Sequence, residues 1–134
     1  MGHELLEHTA DLGIRAWGPS VEAAVAEALM ALVEVMGVRG SGPGRDLELR
    51  GAGGDDGARL VALLNETIFA VETRGVRIAS ARVHREGDEL AAVLELVDRD
   101  GAGEGIGVKA ATYHQLAVEE GADGSVEVRV FLDV

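Results

Sequence analysis

The chain has 134 residues, no cysteine, a formal net charge of −12 at pH 7 and a pI near 4.6. The lack of cysteine excludes disulfides and thiolate chemistry, and the acidic charge disfavours tight binding to nucleic-acid phosphates. With 47% apolar residues but only four aromatic Trp, Tyr and Phe side chains, one domain with an aliphatic core is predicted. No signal peptide and no membrane span are recognised, so we expect a cytoplasmic protein.

Apolar periodicity predicts the secondary structure in chain order. Alternation of apolar and polar residues is typical of half-buried strands, and apolar spacings of three and four are typical of amphipathic helices. Ser20 and Gly37 bracket the first helix as N-cap and C-terminal glycine. The predicted elements are strands over 4–7 and 12–18, a helix over 20–37, a strand over 47–50, a helix from Asp55 or Asp56 to 75, and strands over 76–83, 90–97, 114–119 and 125–132.

This order predicts the fold class. After the short strand at 4–7, a strand, a helix, a strand and a helix precede a run of strands joined by glycine-containing turns at 86–88 and 121–124. Such an order argues for an α+β fold, a mostly antiparallel sheet with two amphipathic helices packed on one face, in a single domain.

The first candidate site joins the two ends of the chain. Asp11 lies where a turn gives way to a strand, and Asp133 and Val134 end an apolar run that is typical of a docked strand. If the two ends meet, Asp11, Asp133 and the terminal carboxylate of Val134 converge, and a cation would neutralise them. An all-oxygen ligand set favours Ca²⁺ or Mg²⁺. The alternative is that Asp11 is an ordinary turn residue.

Two histidines and one polar segment are further candidates. His8 and His114 could carry protons or bind a ligand, or they could be hydrogen-bonded structural residues. The segment 108–114 holds Lys109, Thr112, Tyr113 and His114, which could line an anion or phosphate pocket or could alternate between solvent and core. His3 and His84 are predicted to be surface residues. The glycine-rich segments at 51–54 and 101–105 match neither a dinucleotide-binding loop nor a P-loop.

An ordered set of motifs resembles the archease family. The likeness lies in the segments 8–16, 35–36, 63–66 (Leu-Leu-Asn-Glu), 108–114 (Val-Lys-Ala-Ala-Thr-Tyr-His) and 128–134 (Val-Arg-Val-Phe-Leu-Asp-Val). Each motif is weak alone, but their order and spacing agree over nearly the whole chain, so 1–134 is expected to form one archease-like domain. The chain departs from the family pattern in a glycine-rich segment at 98–105 and in a second helix without tryptophan.

The resemblance implies an accessory protein rather than an enzyme. Archeases assist the RtcB-type RNA ligase of tRNA splicing and RNA repair, which uses GTP and Mn²⁺ to join RNA ends. They promote guanylylation of the ligase and multiple turnover. The family's metal site matches Asp11, Asp133 and Val134 here, and calcium is the associated ion. Two alternatives remain: a chaperone-like interaction module, and a metal-dependent hydrolase using Asp11, His8 and His114, for which the sequence offers no obvious nucleophile.

Overall fold

A computed structural model describes residues 1–8, 11–98 and 105–134, except for the side chains of residues 7 and 8. In chain order the elements are β1 (Gly2–His8), β2 (Asp11–Gly18), α1 (Val21–Met36), β3 (Arg45–Gly51), α2 (Asp56–Arg74), β4 (Val76–Glu86), β5 (Glu89–Asp98), β6 (Ala110–Glu120) and β7 (Val126–Asp133). The predicted elements are all present, and most strands are a few residues longer than their apolar pattern indicates.

The strands form two antiparallel sheets. One has the order β1-β2-β7-β6 and the other the order β3-β5-β4. The predicted α+β class is therefore confirmed, with the strands divided between two sheets. The division arises because β2 pairs with β7, which joins the first and last hairpins of the chain, while β3 pairs with β5. Local apolar patterns do not specify such long-range pairings.

The first helix begins and ends where its capping residues predict. The Ser20 hydroxyl accepts a hydrogen bond from the Ala23 N–H at 3.1 Å, and Gly37 closes the helix with φ 68°, a conformation that favours glycine. The helix contacts β2 of the first sheet and β4 of the second. Its fully or nearly fully buried side chains are Ala24, Val25, Ala28, Leu29, Ala31, Leu32, Val33 and Val35.

The second helix has the same design. The Asp55 carboxylate accepts from the Ala58 N–H at 2.8 Å, so Asp55 is the N-cap, and Gly75 ends the helix with φ 60°. The helix contacts β6 of the first sheet and β3 of the second. Both helices therefore pack against both sheets, and the buried residues form one aliphatic cluster. Neither helix has a segment long and apolar enough to cross a membrane.

Candidate metal centre

The two acidic residues predicted to converge lie opposite each other. Asp11 is the first residue of β2, and the antiparallel register of β2 and β7 pairs it with Asp133. Side chains at such paired positions lie on the same face of the sheet, with Cβ atoms about 4.5–5.5 Å apart. Asp11 is half-buried and Asp133 is exposed. The pair is therefore accessible from solvent at one end of the four-stranded sheet.

The last residues of β7 are paired on both sides, because β7 lies between β2 and β6. Asp133 pairs with Ala110 on the β6 side, and its carbonyl accepts a hydrogen bond from the Lys109 N–H at 2.8 Å. The predicted docking of the final segment as a strand is confirmed. Val134 follows directly and is 39% exposed, so all three predicted residues lie at the same end of the sheet.

No cation among the described residues balances the carboxylate pair. Within the described part of the chain, neither Asp11 nor Asp133 forms an ion pair or a side-chain hydrogen bond. Like charges at directly opposed strand positions repel each other. The described residues contain no cluster of three or more His, Cys, Asp or Glu side chains suited to a metal. A metal here would thus take its remaining ligands from other groups, such as the oxygens of Val134, or from water.

A glycine and a phenylalanine form the next pair along the same strands. Gly13 lies opposite Phe131, and a Cβ on Gly13 would lie 2.8 Å from Phe131 Cε1 and 2.9 Å from Leu6 Cβ. The aromatic ring therefore occupies the space that a side chain at position 13 would need. Phe131 is only 5% exposed. This close packing explains why position 13 is a glycine. It also packs β1, β2 and β7 tightly together next to the carboxylate pair.

The structure describes His8 and its neighbours only in part. The backbone of His8 pairs with Asp11 across the β1–β2 hairpin, which places position 8 beside the carboxylate pair. The predictions on the His8 side chain, on Thr9 and Ala10, and on most of the 98–105 segment lie outside the described residues.

The polar segment at 108–114 leads into strand β6, which starts at Ala110. The Thr112 hydroxyl donates to the Phe131 carbonyl at 3.2 Å, and the His114 ring makes an edge contact with Phe131 at a centroid distance of 6.3 Å. The pairing with β7 is then interrupted between Thr112 and Ala117. Gln115 lies in this bulge with φ 53°, a conformation that is uncommon for residues other than glycine. Lys109, Tyr113 and His114 are exposed.

Asn65 of α2 holds the backbone of β6 in place, a role that its sequence context does not predict. Its side-chain oxygen accepts from the Ala111 N–H at 2.8 Å, and its amide nitrogen donates to the Ala111 carbonyl at 3.4 Å. At the outer edge of β6, the Asn65 side chain thus makes the two backbone hydrogen bonds that a neighbouring strand would otherwise make. The only sequence signal was its place in the Leu-Leu-Asn-Glu segment, because its partner lies in a distant strand.

The side chain of His3 is partly buried and bound to two glutamates, unlike that of an ordinary surface residue. Its ring nitrogens contact the carboxylates of Glu27 at 3.3 Å and Glu34 at 2.8 Å on α1. Burial lowers the pKa of His3, but the hydrogen bonds that its ring makes to the carboxylates of Glu34 and Glu27 outweigh this effect, and the pKa is raised overall. The prediction of a surface His3 was therefore incomplete, because the sequence does not show that β1 packs along α1. His84 is about half-exposed, as predicted.

These features define a small α+β protein with a pair of opposed carboxylates at the end of a central strand pair. The sequence profile described as the Archease protein family (MTH1598/TM1083) matches residues 3–134. Protein archease of Thermococcus gammatolerans is 31% identical over 128 residues, which cover 90% of each chain. The chain belongs to the archease family.

Solved structures agree in fold. The solution structure of protein 1598 of Methanobacterium thermoautotrophicum matches with a TM-score of 0.73 and 25% identity over 99% of each chain. The crystal structure of an archease from Thermotoga maritima, described there as a possible chaperone, matches with a TM-score of 0.68 and 27% identity. That match covers 96% of this chain and 94% of the other. The fold is therefore shared over nearly the full length.

Proposed function

We propose that this protein is a cytoplasmic accessory activator of an RtcB-type RNA ligase in tRNA splicing and RNA repair. In this role it promotes guanylylation of the ligase and allows multiple turnover, without being an enzyme itself. The observation that carries the proposal is the pairing of Asp11 with Asp133 across β2 and β7. Membership of the archease family supports the choice of partner.

Asp11, Asp133 and an oxygen of Val134 would hold a divalent cation, Ca²⁺, that supports activation. Two opposed carboxylates without a described cation repel each other, so a bound cation stabilises the folded sheet. Hard oxygen ligands favour Ca²⁺ or Mg²⁺ over softer metals. Asp11, Asp133 and Val134 would fix such an ion at the end of β7, where it would supply positive charge for the guanylylation step of the ligase.

The acidic charge of the chain suits a partner that binds RNA. A net charge of −12 disfavours direct tight contact with RNA phosphates and favours encounter with a basic protein surface. The protein therefore acts on the ligase rather than on the RNA.

A ligation time course tests the proposal. The cognate ligase, GTP, Mn²⁺ and excess broken tRNA halves are incubated with and without this protein. Without this protein we expect about one ligated product per ligase molecule. With it we expect many products per ligase molecule, because the activator permits repeated turnover. Asp11→Ala and Asp133→Ala should remove the effect, and Asp88→Ala, on the exposed β4–β5 turn, should not. Superimposed curves with and without the wild-type protein would show the proposal to be wrong.

A chaperone-like interaction module is the second candidate. The description of the Thermotoga maritima neighbour as a possible chaperone favours it. It predicts that the protein suppresses aggregation of unrelated clients, and that Asp133→Ala leaves this activity unchanged.

A further inference from the structure

Exposed apolar side chains collect around the start of β6. Six large apolar residues are at least 39% exposed in the described part of the chain, and four of them are Phe69 at 63%, Ile106 at 51%, Tyr113 at 66% and Val134 at 39%. The remaining two, Met1 and Leu5, belong to the N-terminal segment. We use the name β6 patch for the four residues Phe69, Ile106, Tyr113 and Val134.

Contacts between α2 and the β6 segment place these residues together. Asn65 binds the backbone of Ala111, and Glu72 lines a shallow cavity together with Ile106. Phe69 lies four residues after Asn65 and three before Glu72, so it shares their helix face. The helix therefore runs antiparallel to the segment 106–111, with Phe69 alongside it.

The same segment links the patch to the carboxylate pair. The Lys109 N–H donates to the Asp133 carbonyl at 2.8 Å, which brings Val134 beside the start of β6. Tyr113 follows two residues after Ala111, at the beginning of the bulge. The β6 patch thus extends from the end of β7 along the start of β6 and the neighbouring part of α2.

Charges around the patch define what can cover it. Exposed Glu66 and Glu72 on α2, together with Asp133, form no ion pair within the described residues. The cations of the described residues near the patch include Lys109 and Arg74, and Arg39 and Arg77 line a cavity with Gly105, next to Ile106. The chain as a whole nevertheless carries −12. A second copy of this chain would bring another net charge of −12 against this one, which is costly. A partner with apolar residues surrounded by lysine and arginine is complementary.

We propose that the β6 patch is the surface through which this protein docks on a basic, RNA-binding protein. The inference rests on the proposed function, which names the ligase as that partner. Phe69 and Ile106 form the apolar centre of the contact, and Glu66 and Glu72 form part of its polar rim. Docking here sets the end of β7, with Asp133 and Val134, at the border of the interface. Aromatic residues at interface centres commonly carry much of the binding energy.

Binding of the purified ligase to wild-type protein and to single variants tests the inference. Phe69→Ser and Ile106→Ser are the test variants, and Leu5→Ser is the matched control because Leu5 is an exposed apolar residue on β1. We expect Phe69→Ser to weaken the Kd at least about tenfold, and Leu5→Ser to stay within about twofold of the wild type. Higher salt should slow association of the wild-type protein, since rim charges steer the encounter.

The outcomes separate this inference from the proposed function. If the wild-type protein activates the ligase and both patch variants bind as tightly as it does, the docking surface is wrong and the proposed function stands. If the wild-type protein neither binds nor activates the ligase, the proposed function is wrong and the inference falls with it. Sedimentation of this chain alone is the third arm. A dimer that Phe69→Ser dissociates would assign the patch to a second copy and overturn the inference.

Discussion

Asp11 and Asp133, at opposite ends of the chain, lie directly across from each other in the pairing of β2 with β7. Their meeting depends on β7 entering the sheet between β2 and β6, which makes the final segment of the chain a central strand rather than an edge. The fold thereby places two acidic residues side by side that no local sequence pattern connects.

Removing one charge of this pair should stabilise the protein when no metal is present. Asp133→Asn relieves the repulsion with Asp11, and we expect the free energy of unfolding in a chelator to rise by up to about 1 kcal/mol. With added Ca²⁺ the order should reverse, since only the wild-type pair gains stability from bound ion. Urea unfolding with and without Ca²⁺ measures both. A variant less stable than wild type in chelator would contradict the repulsion.

A methyl group at position 13 should disturb the packing beside the site. In Gly13→Ala the new Cβ would meet the Phe131 ring at 2.8 Å, and overpacking of this kind costs about 1–3 kcal/mol. Chemical denaturation measures the loss. In the double variant with Phe131→Leu, the smaller side chain should recover part of it, because the two positions are in contact. Strictly additive effects would mean that Gly13 is needed for another reason.

Loss of the Asn65 side chain should loosen the edge of β6. Asn65→Ala leaves the N–H and carbonyl of Ala111 without their side-chain partner, at a cost of about 1–3 kcal/mol. Asn65→Asp keeps an acceptor for the N–H but loses the donor to the carbonyl, so an intermediate loss is expected. Hydrogen exchange at the Ala111 amide reports the change locally. Unchanged protection in Asn65→Ala would show that the clamp contributes nothing.

The contact between β1 and α1 should weaken as pH rises. Burial lowers the pKa of His3, but the hydrogen bonds that its ring makes to the carboxylates of Glu34 and Glu27 raise it above its ordinary value. A raised folded-state pKa means that the stabilisation is complete below the unfolded value of about 6.5 and is lost as pH rises through the folded value. The stability difference between wild type and His3→Gln should therefore be larger at about pH 6 than at about pH 9.

NMR titration of the His3 ring measures its pKa directly, and His84→Gln is the control for removing an imidazole. Glu34→Gln should lower the His3 pKa, since Glu34 is the main group that raises it. A His3 pKa at or below the ordinary value would show that the two glutamates do not outweigh burial.

Sequence reasoning succeeded where the signal is local. Ser20 with Gly37, and the acidic residue before the second helix, defined both helices to within a residue because capping and apolar periodicity act within a few positions. The apolar run that ends the chain predicted a docked final strand, and the resemblance to the archease family implied that this strand brings Asp133 into one site with Asp11. The split into two sheets, the Asn65 clamp on Ala111 and the contact of His3 with Glu34 were not predicted. Each depends on residues far apart in sequence, which no single-segment pattern encodes.

Calcium titration by calorimetry is the most direct measurement of the central claim, that the opposed carboxylates form a cation site. The wild-type protein, Asp11→Asn and Asp133→Asn are titrated, with Asp88→Asn as the control for loss of an exposed carboxylate. We predict one saturable Ca²⁺ site in the wild type and in Asp88→Asn, and no such site in the other two. Wild-type protein without saturable binding, or equal binding by Asp133→Asn, would contradict the account.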